Sequence, residues 1–328
     1  MRRIKVAMYG TGAAHAIGAL ITLIALDDYF DFVGVCEPDE ELKSKAKELS
    51  CYNGVKWISE DEMFGIADLD AVVVEVEELK LTQAAIDMAK RNYHVYMDKP
   101  GGESVEEFEE LVHIMKGTGN ILYTGYMYRH NPSVVYTKKL VADGDLGDVT
   151  SVEAQMSVRL DSTESLEKFK GGITYFLGCH LIDLVYSILG EPKRIIPLSA
   201  HTKSGVSDSL DYGFTVFEYE NGTSFIKTNA TEVNGSNRRQ IVVTGTKGTV
   251  EIRPVELFDK TDTLYLTSEM RISLLENGQE KEKIIKFPKY KRYDDMFIDF
   301  ARCVSGKKEN DYSYDYELRL HNLIMNSF

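Results

Sequence analysis

His94-Val95-Tyr96-Met97-Asp98-Lys99-Pro100-Gly101-Gly102 is the stretch on which the reading of this chain turns. Val95, Tyr96 and Met97 form the short apolar run of a strand buried on both faces, as in a parallel sheet. The run stops at Asp98-Lys99-Pro100. A Lys at the carboxyl edge of such a sheet points into the crevice where these sheets hold ligands. Pro100 fixes its own φ, keeps Lys99 extended and is a candidate for a cis bond. The two glycines that follow let a ligand or another backbone come close. The plainer alternative is a surface Lys beside a turn, and Lys-Pro alone does not decide between them.

The amino-terminal residues supply context. Ile4 to Tyr9 is an apolar strand that runs into Gly10-Thr11-Gly12-Ala13-Ala14-His15, and an apolar helix follows from about Ala16 to Leu26. Strand, glycine turn and helix are the setting in which such a turn cradles a pyrophosphate on the helix N-terminus. Gly10 permits the tight turn and Gly12 the close approach; His15 stands where a third glycine is expected. The ordinary alternative is a turn that simply opens a helix. The second strand, Asp31 to Cys36, ends at Glu37, whose carboxylate is placed to accept from both ribose hydroxyls of an adenosine. Glu37 repels a 2′-phosphate, and Pro38-Asp39 offers no cation to hold one, so NAD is expected over NADP. The cofactor-binding set is therefore Gly10, Thr11, Gly12, Ala13, His15, Glu37, Glu75, Asp98, Lys99 and Pro100. Glu75 and Glu77 lie at the edge of the crevice, facing cofactor or water, with water favoured.

The remaining elements of the first half are helices over Glu40–Leu49, Leu81–Arg91 and Ser104–Met115, and strands over Asp70–Val76 and Ile121–Thr124. This alternation predicts a Rossmann-type doubly wound parallel sheet over residues 1–124. A polar, aromatic crossing, Gly125-Tyr126-Met127-Tyr128-Arg129-His130-Asn131-Pro132, leads into a second domain over 125–328. From Asp148 the pattern changes to period two. Strands are expected over Val149–Leu160, Arg194–His201, Leu210–Tyr219, Ser224–Glu232, Arg239–Gly245, Gly248–Arg253 and Thr263–Thr267. Turn signals at Glu220-Asn221-Gly222 and Thr246-Lys247-Gly248 join pairs of them. The result is an α+β domain with a large, open, mostly antiparallel sheet and helices on one face. The free face is a plausible homo-oligomer surface, for a dimer or tetramer.

One nearly apolar helix interrupts these strands, from Gly171 to Gly190. Its polar residues His180 and Asp183 are three apart and share a face. A core histidine bonded to Asp183 or to backbone is the alternative to a catalytic one. Helices over Asp294–Val304 and Tyr314–Phe328 close the chain.

The chain has 328 residues and a formal net charge of −14, with 43% hydrophobic residues. Its length suggests two domains. Its acidity argues against nucleic acid and anionic membrane surfaces as partners. Cys36, Cys51, Cys179 and Cys303 form no CxxC pair, so neither a disulfide framework nor a metal site is expected. With no leader and no apolar run of membrane length, a cytoplasmic protein is expected.

Three separated elements agree: Gly10-Thr11-Gly12, Asp98-Lys99-Pro100, and Gly171-Gly172 through His180-Leu181-Ile182-Asp183. Together they resemble the Gfo/Idh/MocA oxidoreductases, the family of glucose–fructose oxidoreductase and inositol dehydrogenase. The resemblance spans nearly the whole chain. It implies an NAD(P)-dependent dehydrogenase acting on a CH–OH group of a sugar, polyol or inositol-like substrate. The family's Glu-Lys-Pro stands here as Asp98-Lys99-Pro100, and its Arg-x-Asn-Pro as Arg129-His130-Asn131-Pro132. Lys99 and His180 carry over as catalytic residues. Tyr128, Arg129, His130, Asp183 and Tyr175 are the substrate-side candidates, with Asp183 also placed to fix the His180 tautomer. The family's frequent acid/base Asp, four residues before the His, is Phe176 here. That departure keeps open a second reading, a nucleotide-binding regulator of the same fold.

Overall fold

The computed structural model of the chain describes residues 2–202, 207–259 and 264–328. They divide into two compact units, Met1–Tyr126 with Tyr293–His321, and Met127–Arg292 with Asn322–Phe328.

The first unit is a five-stranded parallel sheet. Its strands are β1 (Ile4–Tyr9), β2 (Phe30–Cys36), β3 (Ala71–Val74), β4 (His94–Met97) and β5 (Leu122–Thr124), in the spatial order β2-β1-β3-β4-β5. The helices between them are α1 (Ala16–Ala25), α2 (Glu40–Lys47), α3 (Glu60–Phe64), α4 (Leu81–Lys90) and α5 (Val105–Thr118). The order reverses at β1, which makes the carboxyl ends of β1, β3 and β4 the edge of a ligand crevice. One face of the sheet presents Val72, Val74, Val95 and Met97 to Ala85, Ile86 and Met88 of α4 and to Phe108, Leu111 and Met115 of α5. β-branched and sulfur side chains fill that core without a polar atom, as a doubly covered sheet requires.

The other face is where the contiguous reading of two halves meets a difference. Residues 293–321 pack with the first unit rather than with the second half of the chain. They carry α8 (Asp294–Val304) and the first part of α9 (Tyr314–Met325). The cause is aromatic. Phe297 of α8 stacks on Tyr96 of β4 with ring centroids 4.8 Å apart, and Phe300 meets Tyr123 of β5 at 5.5 Å. Burying these large rings is favourable enough to recruit a helix far away in sequence.

The second unit holds α6 (Pro132–Ala142), β6 (Val149–Ser157), α7 (Cys179–Leu189), β7 (Arg194–Pro197), β8 (Tyr212–Tyr219), β9 (Gly222–Asn229), β10 (Gln240–Gly245), β11 (Gly248–Ile252), β12 (Leu257–Phe258), β13 (Leu266–Thr267), β14 (Glu269–Glu276) and β15 (Gln279–Lys286). Eight of these strands form one sheet in the order β15-β14-β11-β10-β6-β9-β8-β7. Only the β6–β9 pairing is parallel among those described. The two expected hairpins form, with Tyr219 opposite Gly222 and Thr244 opposite Thr249. The β14–β15 hairpin was not expected; its turn is Asn277-Gly278, both at positive φ. The strand expected from Thr263 begins outside the described residues and appears only as β13. The apolar helix forms in two pieces, a π-helical turn over Thr174–Gly178 and then α7. Among the described residues no helix is long and apolar enough to cross a membrane.

Candidate active site

In the first unit the glycine turn and three strand ends converge. Gly10 has φ +90°, and a Cβ there would lie 2.6 Å from Val76 Cγ1. A Cβ at Gly12 would press on Glu77 Cγ at 3.0 Å. Only glycine lets the backbone turn this tightly against the residues after β3.

Glu37, at the end of β2, is buried and accepts from Thr11 N at 2.6 Å, Thr11 Oγ1 at 2.8 Å and Asp39 N at 3.0 Å. The carboxylate that is expected on the ribose thus also staples the glycine turn to β2. Ala13 N donates to the Glu75 carbonyl at 2.9 Å, and Ala14 N to Glu78 Oε1 at 3.3 Å. The backbone just ahead of α1 is thus tied to the residues after β3. A turn that needs glycine at Gly10 and Gly12, the helix it opens and a buried carboxylate at the β2 end are the parts that hold a dinucleotide.

At the neighbouring edge the Lys99–Pro100 peptide is cis, and Gly101 and Gly102 take φ +100° and +77°. Thr82 Oγ1 donates to Gly101 O. His321 Nε2 lies 3.1 Å from Gly102 O, and its ring stacks on Phe108 at 4.3 Å. Burial holds the His321 imidazole down at about 4, so it stays neutral and serves as a brace for the loop after Lys99. No sequence pattern marked His321.

Asp98 takes His15 Nδ1 on Oδ1 at 2.9 Å. His15, met as an oddity in the glycine turn, is a partner for the acid beside Lys99. Burial works to raise the Asp98 carboxyl, but His15 and Lys99 outweigh it and hold it below the usual carboxylate range. Glu75 was expected to face water; it is fully buried. The reason is the register: Val74 pairs with Met97, so the next residues, Glu75 and Asp98, lie side by side on the Tyr96 face of the sheet. Burial first, then the Asp98 charge, push the Glu75 carboxyl well above its ordinary value, while Lys99 pulls the other way.

In the second unit the sequence-marked residues gather around α7. Arg129 gives the Asp183 carboxylate a bidentate pair, Nε to both oxygens at 3.0 Å and Nη2 to Oδ1 at 2.7 Å. Both residues are buried. The Asp183 carboxylate, expected to fix the His180 tautomer, thus receives Arg129 on both oxygens. The Tyr128 ring meets the His180 ring edge-on at 5.0 Å, and Tyr128 Oη donates to Glu256 Oε1 at 2.7 Å. Glu256 also receives Arg239 Nη1 at 2.7 Å and Arg292 Nη2 at 2.7 Å. Glu256, Arg239 and Arg292 were missed by sequence reasoning, because isolated charges in loops and strand ends carry no spacing signal. Tyr175 is buried between Phe169 at 5.1 Å and Phe328 at 6.1 Å, and Phe176 stacks on Phe169 at 5.6 Å. An aromatic cluster therefore occupies the turn where the family's acid is expected. His130 is half-buried on the Met127–His130 turn.

Comparison with known proteins follows the same division. A family model described as an oxidoreductase family with an NAD-binding Rossmann fold matches residues 4–126, and the GFO/IDH/MocA C-terminal domain matches residues 134–251. The chain belongs to the Gfo/Idh/MocA oxidoreductase family. The members of this family that it resembles are distant. The 2,7-anhydro-N-acetylneuraminate hydratase of Escherichia coli is 24% identical over 283 residues, covering 84% of this chain and 74% of the relative. The scyllo-inositol 2-dehydrogenase (NAD(+)) of Bacillus subtilis is 24% identical over 227 residues, 66% of this chain and 65% of the relative. Among solved structures, the WlbA dehydrogenase of Bordetella pertussis in complex with NADH and UDP-GlcNAcA superposes with a TM-score of 0.76 at 17% identity, over 99% of this chain and 95% of that one. At that identity the superposition speaks for the fold alone. The Gfo/Idh/MocA family is an NAD(P)-binding oxidoreductase family with dehydrogenases of sugar-related compounds among its members.

Proposed function

We propose that this Gfo/Idh/MocA protein is an NAD-dependent dehydrogenase that moves a hydride between the nicotinamide and a carbinol of a sugar, polyol or inositol-like substrate. The observation that supports it best is the buried Lys99 beside Asp98 at the carboxyl edge of a sheet whose glycine turn is shaped for a dinucleotide. The cofactor, when bound, supplies the hydride chemistry itself. Gly10 to Ala13 and the start of α1 hold its pyrophosphate, and Glu37 takes the ribose hydroxyls. A 2′-phosphate at Glu37 meets a carboxylate already fixed by three donors, which favours NAD over NADP. Lys99 holds a positive charge for the developing alkoxide, and Asp98 and the His321-braced loop hold Lys99 in position. His180 accepts the hydroxyl proton as the general base. Arg129, tied to Asp183, keeps α7 in place, while His130 and the Tyr128 edge contribute to substrate recognition. The E. coli and B. subtilis relatives act on carbohydrate-derived rings by name, which supports the substrate class.

Phe176 supports one other reading. With an aromatic stack in place of the usual acid, the chain could bind nucleotide as a regulator without turnover. An NADH absorbance screen over a panel of sugars, sugar acids and polyols separates the two. Turnover on any member supports the dehydrogenase; tight NAD(H) binding with ligand-dependent quenching and no turnover across the panel supports the regulator.

A further inference from the structure

Glu75 is a group at the crevice edge whose chemistry the proposed function does not use. Both of its oxygens, and Oδ2 of Asp98, are buried and have no hydrogen-bond partner among the described residues. The two carboxyl groups project from adjacent parallel strands, on the same face and in the same register. Neither is exposed at all, whereas the side chain of His15, which binds the other oxygen of Asp98, is 16% exposed. Two fully buried carboxyl groups that neighbour each other in register do not both ionise: Asp98, bound to His15, keeps the charge and Glu75 keeps the proton. The charged and titratable groups that face Glu75 are Asp98 and Lys99 after β4, Glu78 on the turn after β3, and Tyr52 and Tyr96. Lys99 is the only cation in that set, and it favours ionisation. Asp98, Glu78 and burial favour the proton.

We infer that Glu75 and Asp98 store a single proton at the carboxyl edge of the sheet, that His15 is its route to solvent, and that the store is coupled to the charge of the cofactor. This coupling rests on the proposed function; the shared proton does not. The oxidised nicotinamide carries a positive charge and the reduced one does not. When the cationic form binds, the Glu75 carboxyl ionises and its proton passes by Asp98 and His15 to water. When the neutral form binds, the carboxyl keeps it. By linkage, affinity for NAD⁺ then rises with pH across the titration of the pair, while affinity for NADH does not. The proton also marks stability. The folded pair holds it more tightly than an unfolded glutamate, whose ordinary value is 4.5. Its contribution is therefore complete below that value and declines as pH rises through the folded value.

Infrared spectroscopy of the cofactor-free protein at neutral pH tests the store, and calorimetry in two buffers of different ionisation heat tests the coupling. The wild type should show a protonated-carboxyl carbonyl band that Glu75→Gln removes and that Asp98→Asn shifts to titrate at lower pH. NAD⁺ binding should release a fraction of one proton in the wild type and none in Glu75→Gln, with NADH releasing none in either. Absence of the band, or its survival in a folded Glu75→Gln, overturns the store. Equal proton release by NAD⁺ in wild type and Glu75→Gln overturns the coupling and leaves the cofactor reading standing. Failure to bind either cofactor form overturns the coupling together with the proposed function, while the band still judges the store. If Glu75→Gln is poorly folded, Asp98→Asn decides the store alone, and an unchanged titration of the band there overturns it.

Discussion

The crevice edge of the first unit and the α7 region of the second both bury charged groups and treat them in opposite ways. Around α7 the charges neutralise one another through short, directed bonds: Arg129 lies on Asp183, and Arg239 and Arg292 share Glu256 with the Tyr128 hydroxyl. At the crevice edge two carboxyl groups stand side by side, with unpartnered oxygens on both. A buried pair with its bonds made is a device for position. A buried acid with its bonds unmade is kept for something that arrives or leaves, and such groups gather at functional sites. On the proposed function, the Lys99 edge handles charge, and the Arg129 network holds shape around His180.

The largest effect expected follows from that contrast. Arg129→Ala strands the Asp183 carboxylate in the core of its unit and should cost about 3–5 kcal/mol in denaturant unfolding. The double change Arg129→Met with Asp183→Leu should recover most of it, because a buried pair removed whole leaves no unpaired charge. Recovery of nothing would mean that the pair does more than hold α7.

A second effect of nearly that size belongs to the loop brace. His321 titrates near 6.5 when unfolded and near 4 when folded. Between those values the unfolded chain binds the proton and the folded chain does not. The stability is therefore complete above 6.5 and falls as pH drops toward 4, by roughly 3 kcal/mol in all. His321→Gln should flatten that acid limb in unfolding curves measured across the range. An unchanged limb would show that another group produces it.

The smallest effect tests the cofactor end of the crevice. Glu37→Ala removes an acceptor for ribose hydroxyls and a staple on Thr11, which should weaken NAD on the order of tenfold or somewhat more by calorimetry. The same change should narrow the gap between NAD and NADP. If NADP already binds the wild type as tightly as NAD, the carboxylate does not read the ribose.

Much of the architecture could be read from the residues because it rests on local signals. Gly10-Thr11-Gly12 between an apolar strand and helix, Glu37 at the next strand end and Lys99 before Pro100 mark the parallel sheet. The Asn221-Gly222 and Lys247-Gly248 turns mark two hairpins. The β14–β15 hairpin had an equally clear signal in Asn277-Gly278, yet its charged second strand, Gln279–Lys286, hid the alternation that a half-buried strand shows. What could not be read was long-range. The return of α8 to the first sheet depends on Phe297 and Phe300 finding Tyr96 and Tyr123, and no spacing announces such a meeting. The burial of Glu75 needs the register of β3 against β4, which a single strand's residues do not contain. The partners of Glu256 and the brace at His321 belong to the same class.

Single-turnover hydride transfer, on whichever sugar or polyol the screen identifies, is the most direct test of the dehydrogenase reading. Wild type should reduce NAD⁺ in a burst, and Lys99→Ala should slow that burst by about 10²–10³-fold with substrate still bound, the size expected when a pre-placed charge is removed from a developing oxyanion. A Lys99→Ala protein that transfers hydride within a few-fold of wild type would contradict it.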